Sequence, residues 1–149
     1  MRKRLLIQKK KKSSLLMAKG EKLIVKKENF GPNNLIVKIK DPATGKPVGV
    51  THLVIEENKA EIVDLIVAEK FRRTGLGEFL LSKAITEAAE KGVNEISLWV
   101  SSKEADREAA LNLYRKMGFK PTRVDQNRLV LKNPKPKHKK IKKRLNYES

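Results

Sequence analysis

The apolar residues change their period at Thr74, and that change constrains the fold more than any other feature of the chain. Upstream, "AEIVDLIVAE" (60–69) is a β-branched run of strand length. Downstream, Leu76, Leu80, Ala84 and Ala88 recur every four residues with Leu81, Ile85 and Ala89 beside them. That spacing predicts a helix from about Gly75 to Lys91, stopped by Gly92. A strand and a helix joined by only a few residues must form a βα unit. The joint itself reads "FRRTGLG" (71–77), with Arg72, Arg73, Gly75 and Gly77. A strand-to-helix turn of this kind aims backbone N–H groups and the positive end of the helix dipole at one point, which makes an anion site. Glycine lets the ligand approach the backbone, and arginine supplies forked donors suited to phosphate oxygens.

The rest of the chain supplies a sheet around this unit. "KLIVKK" (22–27), "LIVKIKD" (35–41) and "VGVTHLVIEE" (48–57) read as strands separated by "ENFGPNN" and "PATGKP". "EISLWVS" (95–101) is a further strand. Ser101 with Glu104 can form a capping box that opens a second helix, which places Ala109, Ala110, Leu113, Tyr114 and Met117 on one face. "FKPTRV" and "NRLVLK" close the chain as a hairpin around Asp125-Gln126. The expected class is α+β: a mixed, mainly antiparallel sheet with a central β-α-β-α unit.

Charge divides the chain into three parts. Of the formal net charge of +18, residues 1–20 carry +8 and residues 132–149 carry +7. The expectation is a basic, flexible arm over 1–20, a folded domain over 21–133 and a basic tail over 134–149. Tails so charged are suited to polyanions, so contact with RNA, DNA or ribosomes without sequence preference is expected. The chain has no cysteine, which excludes disulfides and a cysteine nucleophile. His52 lies mid-strand outside any metal-ligand pattern and reads as structural, Trp99 as a core aromatic and His138 as part of the tail; no metal is expected. No apolar run is long enough to cross a membrane, and the apolar segment near the start is too short for a signal peptide. The expected compartment is the cytoplasm.

The Walker pattern is absent, and the dinucleotide fingerprint lacks its third glycine, since Leu80 stands there. Arg72, Gly75 and Gly77 instead meet the pattern [QR]-x-x-G-x-[GA], and Ala110, Tyr114, Gly118 and Phe119 meet A-x-x-x-Y-x-x-x-G-F. With a strand between the two motifs, the chain resembles the GNAT superfamily of acetyl-CoA-dependent N-acetyltransferases over roughly residues 21–132. The resemblance implies acetyl-CoA as cosubstrate, its pyrophosphate cradled by Arg72, Arg73, Thr74, Gly75, Leu76 and Gly77. Backbone groups near Leu65 and Val67 would hold the pantetheine and the thioester oxygen. Glu61 matches the position of the catalytic glutamate in the histone-acetylating branch, and Tyr114 that of the general acid. Asp64 is the rival base, facing away from Glu61 in an unbroken strand; a bulge would change that.

Two departures stand out. Arg107 sits where the family often has asparagine, and only "ENFGPNN" separates the first two strands, where family members usually insert two helices. The reduced helices imply an open acceptor side and favour a protein or peptide amine. The competing reading is a non-catalytic nucleic-acid- or ribosome-binding protein that keeps coenzyme A as a structural or regulatory ligand.

Overall fold

Short turns between β-branched runs make the first half of the chain a meander. The computed structural model describes residues 12–18, 20–101, 107–136 and 147–148. Strands β1 (Lys12–Ala18), β2 (Glu21–Asn29), β3 (Asn34–Lys40), β4 (Pro47–Glu56) and β5 (Lys59–Val67) pair antiparallel in chain order. Helix α1 (Leu76–Glu90) then returns the chain to β6 (Glu95–Trp99), which runs parallel to β5. Helix α2 (Arg107–Lys116) leads into the hairpin β7 (Lys120–Pro121) and β8 (Arg128–Lys132), and β9 (Tyr147–Glu148) pairs with β1. Among the described residues the sheet has nine strands, in the order β7-β8-β6-β5-β4-β3-β2-β1-β9. This is the α+β class expected, with the β-α-β-α unit formed by β5, α1, β6 and α2. Four residues, Phe30 to Asn33, join β2 to β3, so no helices lie between them.

The reading of the N-terminal arm is corrected. Residues 12–18 belong to the sheet and not to a flexible basic arm. β1 pairs with β2 from Lys12↔Lys27 to Ala18↔Glu21, and Leu16 and Ala18 are buried at 0% and 5% exposure. The two apolar side chains joined to a ladder of backbone hydrogen bonds outweigh the charge around them. Residues 1–11, 19, 137–146 and 149 of the expected tails lie outside the described residues, as does Glu104 of the expected capping box.

Helix α1 covers β3, β4 and β5 on one face of the sheet. Leu80 sits so close that a Cβ at Gly49 would lie 3.0 Å from its Cδ1, which explains the glycine in mid-strand. Phe71, Phe79, Leu80, Leu81 and Ile85 fill this side together with Leu53, Ile62, Ile96 and Leu129, all buried. Lys27 Nζ reaches Glu87 Oε2 at 2.9 Å and pins β2 to the helix. The opposite face is open. Leu15, Ile66 and Trp99 are exposed there, and Ile24, Ile36, His52, Val54 and Glu61 are half-buried. Trp99 is therefore not the core aromatic expected. It is 55% exposed, with the Arg128 guanidinium 5.9 Å from its ring centroid.

Candidate functional site: a splayed strand pair capped by a helix N-terminus

The β5–β6 pairing is interrupted where the chemistry is expected. The parallel register runs from Lys59↔Glu95 to Ile62↔Leu98 and stops. At the same point β5 bulges: Leu53 of β4 pairs with Ile62, and His52 pairs with Asp64, so Val63 has no opposite residue. A bulge bends and twists its strand, and here it turns the end of β5 away from β6. The gap opens into a cleft of about 820 Å³. Leu65, Ile66 and Val67 line it from β5, Ala109, Ala110, Leu113 and Tyr114 from α2, Arg72, Arg73 and Gly75 from the connecting turn, and Gly77 from the first turn of α1.

That turn is built to end a strand and start a helix within a few residues. Residues Glu69–Phe71 form one 3-10 turn, anchored by buried Phe71. Arg72 Nε donates to the Val67 carbonyl at 3.3 Å, and Thr74 Oγ1 donates to the Phe71 carbonyl. Gly75 caps α1 at φ 93°, a left-handed conformation that a Cβ disfavours. The first helical bond runs from Phe79 N–H to the Gly75 carbonyl at 2.9 Å. The first turn of a helix aims its backbone N–H groups outward along the axis, and Gly75 and Gly77 line the cleft there beside Arg72 and Arg73. Glu78 also lines the cleft, but Lys116 Nζ of α2 holds its Oε1 at 2.9 Å and offsets its charge.

The two motif glycines differ in what they demand. A Cβ at Gly77 would meet Leu113 Cδ2 at 3.5 Å and Val67 Cγ2 at 3.9 Å, ordinary contacts that the fold tolerates. The protein itself therefore needs glycine at 75 for its φ, whereas at 77 the absent side chain only keeps the cleft floor open. An anionic chain lying across these N–H groups fits such a floor.

Seven of the ten residues singled out from sequence line the cleft: Leu65, Val67, Arg72, Arg73, Gly75, Gly77 and Tyr114. Tyr114 is 9% exposed, with its ring 6.1 Å from that of Phe119 in an edge arrangement. The other three do not. The Leu76 side chain is wholly buried, Thr74 closes the turn, and Glu61 lies on the open face of β5, ahead of the bulge. The bulge restores a shared face: Glu61 pairs with Val54 and Asp64 with His52, positions of equal parity on β4. Both candidate carboxylates thus project to the open side.

Sequence reasoning missed Arg107. Its guanidinium donates to the Ser101 carbonyl at 3.0 Å and to Asn127 Oδ1 at 2.7 Å. It holds the chain after β6 against the β7–β8 turn. Only the departure from the family's asparagine marked the position. Among the described residues no group of histidine and acidic side chains could hold a metal ion, and no helix is long and apolar enough to cross a membrane.

The family model for the acetyltransferase (GNAT) family matches residues 11–119. The chain belongs to the GNAT family. The match starts at β1, in agreement with that strand's place in the sheet. Among curated relatives, the chain is 34% identical over 96 residues to the mycothiol acetyltransferase of Clavibacter sepedonicus, covering 64% of this chain and 30% of that protein. It is 30% identical over 99 residues to the ribosomal protein bS18-alanine N-acetyltransferase of Salmonella typhimurium, covering 66% and 64%. A crystal structure of PaiA N-acetyltransferase from Thermoplasma acidophilum in complex with coenzyme A superposes with a TM-score of 0.57 at 25% identity, covering 67% and 61% of the two chains. A cAMP-binding acyltransferase from Mycobacterium smegmatis shares the fold, with a TM-score of 0.69 at 15% identity and 88% and 50% covered. The chain spans less than two thirds of each of these relatives.

Proposed function

We propose that this GNAT protein transfers an acetyl group from acetyl-CoA to an amine of a protein or peptide. The observation that carries the proposal is the splay between β5 and β6, floored by Gly77 and faced by the glycine-capped N-terminus of α1. Arg72, Arg73 and the helix N–H groups would take the pyrophosphate. The backbone edge of Leu65–Val67 that faces away from β4, beyond the end of the β5–β6 pairing, would hold the pantetheine arm and the thioester oxygen.

The chemistry balances with the residues at hand. The acceptor ammonium first loses one proton to Glu61, the proposed base, with Asp64 on the same face as its rival. The amine attacks the thioester carbon, the C–N bond forms and the C–S bond breaks. The departing thiolate gains a proton from Tyr114, at the cleft wall, and the nitrogen's second proton returns to the phenolate, so Tyr114 ends the cycle as it began. A macromolecular acceptor suits the open face: four residues between β2 and β3 leave no wall for a small-molecule pocket.

The basic residues at both ends support a companion proposal of non-specific polyanion contact, which would bring the enzyme to ribosomes or nucleic acid in the cytoplasm. Incubation of a host lysate with the protein and isotope-labelled acetyl-CoA, followed by mass spectrometry, tests the activity. Label on a defined set of proteins is expected. Label only on the protein's own lysines would favour the non-catalytic reading.

A further inference from the structure

His52 stands at the centre of the open face, and the structure around it says more than a packing role requires. It lies on β4 directly opposite Asp64, the residue that follows the bulge, and opposite Ile36 of β3 on its other side. Glu61 is the diagonal neighbour, within reach for long side chains across a pair of strands. Leu65, whose backbone opens the splay, is one residue beyond Asp64. The ring is half-buried, and its Nε2 lies 3.0 Å from Asn34 Oδ1. An amide oxygen can only accept, so Nε2 carries the proton and Nδ1 keeps a lone pair. Asn34 thereby sets the tautomer of a neutral imidazole that can accept a proton.

The chemistry of amine acetylation needs such a group. As classes, carboxylic acids titrate about six pK units below a lysine amine, and imidazoles only about four. A carboxylate attracts an ammonium ion well but is a poor final resting place for its proton, and a base is most effective when it titrates near the working pH. We propose that His52 receives the proton that Glu61 takes from the acceptor amine, with Asp64 opposite stabilising the imidazolium. This rests on the acetyl-transfer reading above. His52 acts through Glu61 and is a positioning and relay residue, not a group in contact with the acetyl carbon. In balance, the ammonium loses one proton to Glu61 and Glu61 passes it to Nδ1. The imidazolium releases it to solvent before the next turnover. The charged groups on this face of the ring's own strand and its two neighbours are Lys59, Glu61 and Asp64 from β5, Glu56 from β4, and Lys40 and Lys38 from β3, Lys38 with its Nζ 3.3 Å from Glu28 Oε1 of β2.

Two measurements on the full chain decide the matter. In the first, imidazole 15N shifts are recorded in a His138→Gln background, which leaves His52 as the single histidine. The Nε2–H tautomer is expected at alkaline pH; the Nδ1–H tautomer would overturn the proposal. In the second, kcat/KM is followed against pH with two synthetic peptides, one offering a free α-amine and one a lysine with its N-terminus blocked. The wild type should lose activity on the acid side of its profile, where the relay's acceptor nitrogen is occupied by a proton. His52→Gln should erase that limb and lower kcat/KM near neutrality on the order of 10²-fold, a deficit that shrinks as the amine deprotonates unaided. Asn34→Asp sets a carboxylate against the ring and favours the imidazolium, so the limb should move to higher pH. A purely structural histidine would lower the melting temperature and leave the limb in place, and that result would sink the relay. Failure of the wild type to acetylate either peptide would overturn the acetyl-transfer reading and the relay with it, whereas an active enzyme whose limb ignores both substitutions overturns the relay alone.

Discussion

Substituting Gly77 and Gly75 separately should distinguish a position that serves the ligand from one that serves the fold. At Gly77 the added methyl of alanine would make only ordinary contacts with Leu113 and Val67, and the position is helical. Alanine there should leave the unliganded protein as stable as before, or firmer by up to about 1 kcal/mol through its better helix propensity. At Gly75, φ is 93°, so alanine must hold a left-handed conformation that costs about 1–2 kcal/mol. For a chain of this length, about 1 kcal/mol moves the melting temperature by roughly 2–4 °C. Acetyl-CoA at a hundred times its Kd should stabilise the wild type by about 2.7 kcal/mol, hence raise its melting temperature by roughly 5–10 °C. Gly77→Ala should melt like the wild type alone and keep most of the acetyl-CoA increment, since the pattern [QR]-x-x-G-x-[GA] admits alanine there, whereas Gly77→Glu, whose carboxylate would stand in the anion site, should lose it. Gly75→Ala should melt a few degrees lower even without ligand. The assay is a thermal melt of each variant across an acetyl-CoA titration. If Gly77→Glu keeps the full increment, no cofactor phosphate lies at that floor, and the assignment of the cleft is wrong. If the wild type shows no increment at all, the cofactor reading fails as a whole.

Three further outcomes are expected. Glu61→Gln should lower turnover on the order of 10²–10⁴-fold near neutrality, and Tyr114→Phe should slow turnover while sparing the acetyl-CoA melting shift; a harmless Glu61→Gln beside a damaging Asp64→Asn would exchange the roles of the two carboxylates. Leu16→Ala should cost about 2–5 kcal/mol in denaturant unfolding, whereas its neighbour Leu15, which is 36% exposed on the other face, should tolerate alanine at a small fraction of that. Equal costs at both positions would remove β1 from the sheet. Replacing the basic residues within 2–11 and 137–144 by glutamine should abolish most RNA binding and flatten its log–log salt slope, which on single strands is about −0.7 per phosphate contact; an unchanged slope would place the polyanion surface on the folded domain.

The turn and α1 were legible because both depend on local pattern: a four-residue apolar period, two glycines and two arginines declare themselves without knowledge of neighbours. β1 did not declare itself. Its apolar content is the short run Leu15–Ala18, next to four consecutive lysines, and it becomes a strand only because β2 offers a complete antiparallel ladder. The bulge was equally hidden. "AEIVDLIV" reads as an unbroken run, and only the pairing with β4 shows that Val63 is skipped and that Glu61 and Asp64 share a face. Most of the candidate cleft residues were found because their motifs combine backbone geometry with side chains. Arg107 was not, since its hydrogen bonds go to carbonyls and to a turn distant in sequence.

The misreading of Trp99 carries the larger lesson. An apolar side chain in a five-residue strand is core only if something covers that face, and cover is decided by elements elsewhere in the chain. Here the absence of helices between β2 and β3 leaves the face bare. The same absence sets Glu61, Asp64 and His52 on a surface that a folded protein or an extended peptide can reach directly, with Ile66 and Trp99 exposed beside the splay. A short loop in the sequence thus does two things at once: it uncovers apolar side chains that a small-molecule enzyme would bury, and it opens the proposed proton path to an acceptor of any size. That coupling is why the acceptor is argued to be macromolecular. It also fixes where an acceptor-specific variant should fall: Trp99→Ala should raise KM for a protein acceptor and leave the acetyl-CoA melting shift intact, and a KM unmoved by that change would put the acceptor elsewhere.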